Sequence, residues 1–235
     1  MKNLFVLAFL SLLSFSALGQ TAEEFGNSGL ERYKQKDYKG AIEDYSKAIN
    51  LDPKLAVAYY NRGLAKDNLE DYRGAIADYD KAIELDPKLT RPYACRGLDK
   101  YKLEDYAGAI EDYSKVIDLD PEWAEAFNWR GLARYDLKDY KRAIKDYNKA
   151  IKLDHKNATF YYFRGIAKAS LAFYRGSIAD YGKALELNPK MAEAYYSRGL
   201  SKLGIRDIDA ACLDWYKAVE IGNEYAYDLI NGFCK

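Results

Sequence analysis

The sequence predicts an all-α protein, a linear stack of six helical hairpins of equal length closed by a short C-terminal helix. Three observations carry this reading. Gly29, Gly63, Gly97, Gly131, Gly165 and Gly199 recur every 34 residues with no insertion or deletion. Asp44-Tyr45, Asp78-Tyr79, Asp112-Tyr113, Asp146-Tyr147, Asp180-Tyr181 and Asp214-Trp215 follow at the same spacing. Within each period two stretches of helical periodicity flank one turn signal. A fixed period of this length means one small unit copied and stacked, because a single hairpin cannot bury its apolar face alone.

The first nineteen residues stand apart from the array. Lys2 opens them, Leu4 to Leu13 is almost wholly apolar, and Ala17-Leu18-Gly19 supplies small residues at a cleavage site. This pattern reads as a secretory signal peptide cut near Gly19-Gln20. The alternative is an uncleaved anchor, which the apolar stretch is too short to favour: roughly 20 residues are needed to span a bilayer. No second apolar segment follows, so no membrane insertion is expected after cleavage, and the mature protein is expected to be periplasmic or secreted. The chain carries 36 basic and 36 acidic residues. That balance creates no field that would draw nucleic acid or an anionic membrane.

The units run 22–55, 56–89, 90–123, 124–157, 158–191 and 192–225. In the second, no strong breaker except Gly63 interrupts the stretch from Ala56 to Leu69. Asp71-Tyr72 marks the turn, and Ala75, Ile76, Tyr79, Ala82, Ile83 and Leu85 repeat at helical spacing. Asp86-Pro87 ends the second helix, since proline bars the preceding residue from helical geometry. Asp37, Asp71, Asp105, Asp139 and Asp207 stand where a carboxylate caps the second helix, and Phe173 breaks that series. Thr21 and Glu24 have the spacing of a capping box. A helical glycine costs about 1 kcal/mol against alanine. Six of them are expected to face the small residues Ala41, Ala75, Ala109, Ala143, Ser177 and Ala211, so that the two helices of a hairpin approach closely. Residues 226–235 continue past the last unit. Tyr225, Leu229 and Ile230 are expected to line one side of a capping helix over the final apolar face.

Arg62, Arg96, Arg130, Arg164 and Arg198 precede five of the glycines, and Ser28 takes the place in the first unit. With the recurring aspartates they suggest ion pairs between helices rather than a row of free cations, because partly buried charges are normally paired. Each aspartate has a partner in its own unit or in the next. The missing first arginine favours the second arrangement. Cys95, Cys212 and Cys234 show no metal-ligand spacing. A Cys212–Cys234 bridge and two separate buried thiols are both compatible with the sequence. His155 is the single histidine and falls in a loop. Asn157-Ala158-Thr159 matches a glycosylation acceptor, meaningful only in a eukaryotic secretory pathway. No phosphate loop, nucleophile–base arrangement or isolated carboxylate pair is present, so no enzyme activity and no cofactor are expected.

The skeleton Tyr59, Gly63, Ala75, Tyr79, Ala82 and Pro87 resembles the tetratricopeptide repeat, and the match runs from Ala22 to Tyr225. The departures are His155 and Gly222-Asn223 at the closing proline, Val116 at a small-residue position, and Phe173 at the cap. The resemblance implies a right-handed superhelical solenoid. It also implies a concave groove, lined by the first helices, that takes an extended peptide or a partner helix. The positions that would face this groove vary between units while the packing positions do not. On that basis Tyr60, Asn61, Arg91, Asn128, Trp129, Tyr162, Phe163 and Tyr196 are the candidate partner contacts, since Trp and Tyr anchor many interfaces. Some of these aromatic side chains would instead pad neighbouring helices. Asn61 and Arg91 are the only remnants of the clamp with which some relatives hold acidic C-termini. Gly26 and Leu30 fill places where that clamp needs polar groups. The function expected is an exported, non-enzymatic scaffold binding a protein or peptide. The alternatives are an envelope assembly component that stacks through its ends, and an enzyme or sugar-binding protein using the aromatic groove.

Overall fold

The computed structural model describes residues 21–234, so the leader lies outside the described residues. Twelve of its thirteen helices pair as hairpins in chain order: α1 (Ala22–Lys34) with α2 (Tyr38–Leu51), α3 (Ala56–Asp67) with α4 (Tyr72–Leu85), and α5 (Thr90–Lys102) with α6 (Tyr106–Leu119). They continue as α7 (Ala124–Asp136) with α8 (Tyr140–Leu153), α9 (Ala158–Ser170) with α10 (Tyr174–Leu187), and α11 (Ala192–Gly204) with α12 (Ile208–Glu220). The last, α13 (Ala226–Phe233), packs on α12. Each helix touches its hairpin partner and the hairpin that follows, which makes the molecule a solenoid.

The turns are uniform because the same hydrogen bonds make each one. In the first, Asp37 N–H donates to the Arg32 carbonyl and Lys36 N–H to the Tyr33 carbonyl, both at 2.9 Å. This is a Schellman closure. It puts Lys36, Glu70, Glu104, Lys138, Ala172 and Arg206 at φ between 58° and 65°. Asp37, Asp71, Asp105, Asp139 and Asp207 then accept a backbone N–H three residues on, as expected. Thr21 and Glu24 form the capping box at the start of α1. Phe173 gives α10 no side-chain cap and is 59% exposed. Phe173→Asp should therefore raise the stability of the array by about 1 kcal/mol. An unchanged urea midpoint would show that the carboxylate does not reach the helix end.

Between units the side chain at the C-cap makes a second turn. Asp52, Asp86, Asp120, Asp154 and Asn188 each accept the N–H two residues on. That bond survives at Asp154-His155, which is why the turn tolerates losing its proline.

The recurring glycines do not face the small residues. A Cβ built on Gly131 would lie 2.7 Å from the Tyr147 ring, and the same approach recurs from Gly29 on Tyr45 to Gly199 on Trp215. Each glycine seats the aromatic ring of its own second helix, and those rings are buried to 2% exposure or less. The small residues close the seams between units instead: Ala41 packs with Ala65, Ala109 with Ala133 and Ala143 with Ala167. In the last seam Ser177 and Ser201 join by their hydroxyls at 2.9 Å.

Cys212 and Cys234 form a disulfide with Cα atoms 5.7 Å apart, which ties α13 onto the last hairpin. Leu229 and Ile230 pack there beside Trp215 and Ala218. Tyr225 does not join them; it precedes the helix and is 80% exposed, and Ala226 takes the buried place. No helix among the described residues is long and apolar enough to cross a membrane.

Candidate functional site

The arginine row is fully engaged. Arg62, Arg96, Arg130, Arg164 and Arg198 each grip the aspartate of their own unit with two N–H groups, Arg130 reaching Asp146 at 2.8 and 3.2 Å. The pairing is thus within units, against the expectation. The third arm explains why Ser28 misled. It crosses to the preceding unit, where Arg62 meets Ser46, Arg96 meets Asp80, Arg130 meets Ser114 and Arg164 meets Asn148. The first unit has no predecessor among the described residues, and there the Ser28 hydroxyl donates to Asp44 at 2.7 Å. Burial opposes ionisation of Asp44, but hydrogen bonds from Ser28 and Lys47 and the Arg32 charge hold its carboxyl below the usual range.

A second row of cations was legible in the repeat but not read from it. Arg32, Lys66, Lys100, Arg134, Lys168 and Lys202 supply another contact to the same six aspartates. Five of the paired guanidinium groups also lie 5.4–5.6 Å from a ring one turn earlier, such as Arg130 over Phe127. These charges join the two helices of each unit and, through the third arm of four arginines, neighbouring units.

The first helices are linked to one another by a polar ladder, each rung 35 residues long. Asn68 donates to the Tyr33 hydroxyl at 2.9 Å, Lys102 to Asp67 at 2.6 Å, Tyr101 to Asp136, and Tyr135 meets Ser170 at 3.1 Å. The next rung would join Ala169 to Gly204, which carry no side-chain donor or acceptor. Arg198 likewise has no third partner, because Gly182 occupies the place of Asn148.

The candidate contacts do not converge on one place. Tyr60, Arg91 and Trp129 line a cavity of about 340 Å³ with Ala94, Cys95, Leu98 and Trp123. Tyr162 and Tyr196 line a second, of about 690 Å³, with Lys190, Glu193, Ser197 and Asn223. Asn61 lines a third beside Asn27 and Leu30. Asn128 and Phe163 line none of these three. Asn128 is 6% exposed with its Oδ1 unpartnered, and Phe163 stacks on Tyr147 at 6.2 Å and 20°.

In the first cavity the aromatic walls are fixed by packing. Trp129 sits 5.8 Å from Tyr113 and 5.5 Å from Trp123, ring centre to ring centre. Trp123 went unrecognised as a lining residue; its signal is that the last position of the other units holds Leu55, Leu89, Asn157, Met191 and Tyr225. Arg91 and Leu98 are exposed at the rim. Burial pushes the Tyr60 phenol up to about 12 and the Cys95 thiol up to about 11, so neither ionises near neutrality. Behind the cavity wall, burial and the Asp67 carboxylate hold the Asp99 carboxyl up at about 7. No group of three or more His, Cys, Asp and Glu side chains among the described residues is placed to hold a metal ion.

Family models of the tetratricopeptide repeat match residues 29–67, 97–138 and 131–171, residues 56–89, and residues 162–226. The chain is a tetratricopeptide repeat protein. Its array is similar to solved structures of the same kind. A crystal structure of MamA is 28% identical with a TM-score of 0.67, covering 73% of this chain and 94% of that one. YrrB, a tetratricopeptide protein with an unusual peptide-binding site, is 22% identical at a TM-score of 0.68 and covers 80% and 97%. The C-terminal part of a repeat protein from Cytophaga hutchinsonii reaches 0.74 at 20% identity, with 84% and 79% covered. At those two identities the likeness concerns the fold alone. No curated protein matches this sequence. As a tetratricopeptide array the chain presents its first helices as a continuous surface, and the 340 Å³ cavity opens on that surface across the second to fourth repeats.

Proposed function

We propose that this chain is an exported, non-catalytic scaffold that holds a peptide or partner protein along its first helices, anchored at the cavity of Tyr60, Leu98, Trp123 and Trp129. One observation carries the reading. The glycine, the ring it seats and the paired aspartate recur in every unit with one Trp-for-Tyr change, whereas the groove positions differ from unit to unit and place three aromatic rings and a rim guanidinium around one opening. A preformed apolar cavity with few polar groups is the usual form of an anchoring site. YrrB, whose fold this chain shares, has a peptide-binding site and lends the reading support. Export rests on the leader sequence alone, and a native protein whose N-terminus is Gln20 is its check.

Trp129 and Phe163 pack against core tyrosines, so the test is better made at the exposed rim. Wild-type protein and an Arg91→Glu/Leu98→Glu variant are to be compared in pull-downs from native envelope extract, with thermal unfolding as the control for folding. The variant should unfold at the wild-type temperature and lose the captured partners by tenfold or more. Equal capture by both proteins would remove the cavity from the binding site.

A further inference from the structure

Each seam between units is closed by one tight pair of residues. The pairs are alanine on alanine in three seams and serine on serine in the fifth. The same register pairs Ala75 with Asp99 in the seam between the second and third units. Both are buried, at 0% and 1% exposure. A methyl group offers a carboxyl nothing. Asp99 Oδ2 has no partner, and neither has the nearby Tyr79 hydroxyl, itself fully buried. Burying polar groups without partners is costly, and burying an unpaired charge far more so.

Few titratable groups face Asp99. Asp67 on α3 shares the Lys102 ammonium with it, and its charge raises the Asp99 carboxyl. Tyr79 on α4 and Tyr113 on α6 are neutral phenols raised by burial. Cys95 and Lys102 share α5 with Asp99. Lys102 is the one cation of the set, and its Nζ lies 2.6 Å from Asp67 Oδ1 but 3.5 Å from Asp99 Oδ1. It therefore serves Asp67 first. A single ammonium cannot neutralise two carboxylates, and the second negative charge would be confined against the Ala75 methyl. Such a pair is stable in the closed seam only while it keeps one proton.

We propose that the seam between the second and third units is a proton-operated joint, closed while the Asp67–Asp99 pair holds a proton and progressively easier to open as the pH rises toward neutrality. The sign follows from where the proton binds more tightly. The closed seam raises the affinity of Asp99 for a proton above that of an open, solvated carboxyl, so its stability is greatest in acid. It falls as the pH rises from about 4 to about 7, and levels off above that. The joint lies directly behind Cys95 and Leu98, so its opening would reshape the neighbouring cavity. The inference holds whether or not that cavity binds a partner.

The experiment is amide hydrogen exchange of the whole protein between pH 5 and 8, corrected for the intrinsic dependence of exchange on pH. Protection in α4 and α5 should fall by about tenfold per pH unit from pH 5 to 7, as expected for one linked proton. Protection in α7 and α8 should hold steady. Asp99→Ala restores the residue found in the matching place of three other units (Ala65, Ala133, Ala167) and should abolish the pH dependence, as should Asp99→Asn. One shared profile for wild type and Asp99→Ala would overturn the proposal. So would an equal fall in every helix of the wild type.

Discussion

Arg130→Met is expected to cost the array about 3 kcal/mol, the lower end of the range for breaking a buried ion pair. The Asp146 side chain is 4% exposed and would lose both N–H groups of the guanidinium fork. The loss stays at the lower end because Arg134 remains 2.6 Å from Asp146 Oδ2 and keeps the carboxylate compensated. Two further contacts vanish with the same side chain, the 3.0 Å bond to Ser114 across the seam and the stacking over Phe127. Urea unfolding monitored by far-UV circular dichroism reads the change. A loss below about 1 kcal/mol, the ceiling for an exposed pair, would mean that the row is solvated and structurally idle.

Alanine should have opposite effects at two glycines. At Gly131 it should destabilise by roughly 1–3 kcal/mol through overpacking, although alanine is the better helix former. Its Cβ would meet Tyr147 at 2.7 Å, and that ring is wedged between Ala143, Ala167 and Phe163 with no exposed edge. At Gly26 the same change meets nothing within 4 Å, so only the helix propensity acts and stability should rise by up to about 1 kcal/mol. Thermal melts of the two single variants decide the matter. The same sign at both positions would refute the claim that the repeated glycine exists to seat the ring.

The period made the hairpins, their caps and their order legible, because each repeated residue answers a demand that every unit makes. It was less informative about which recurring residues touch. Gly131 recurs with Ala143 and with Tyr147 at equal regularity, and periodicity cannot say which one it meets. Ser28 pointed to pairing between units for a sound reason, since the arginine does cross the seam, but with its third arm rather than its fork. Asp99 was visible as a departure from alanine; its importance emerged only with the seam that buries it. In the groove, variation between units pointed to Tyr60 and Arg91, and both line the 340 Å³ cavity. It did not separate Trp129 from Phe163, because both lie on core tyrosines and differ only in that Trp129 also lines the 340 Å³ cavity. Trp123 was missed because it belongs to a loop rather than to a helix face.

The fifth seam gives the array a mechanical character. Four seams carry an arginine arm and a rung of the ladder across them; between the fifth and sixth units both are missing, because Gly182, Ala169 and Gly204 stand in their places, and the Ser177–Ser201 hydroxyl pair lies beside the apolar packing. While the Asp67–Asp99 pair keeps its proton, a load applied at the ends is therefore expected to be taken up first at the fifth seam, where the arginine arm and the ladder rung are both missing. The disulfide makes the sixth unit and its cap travel as one block, which turns about the fifth seam as a lever.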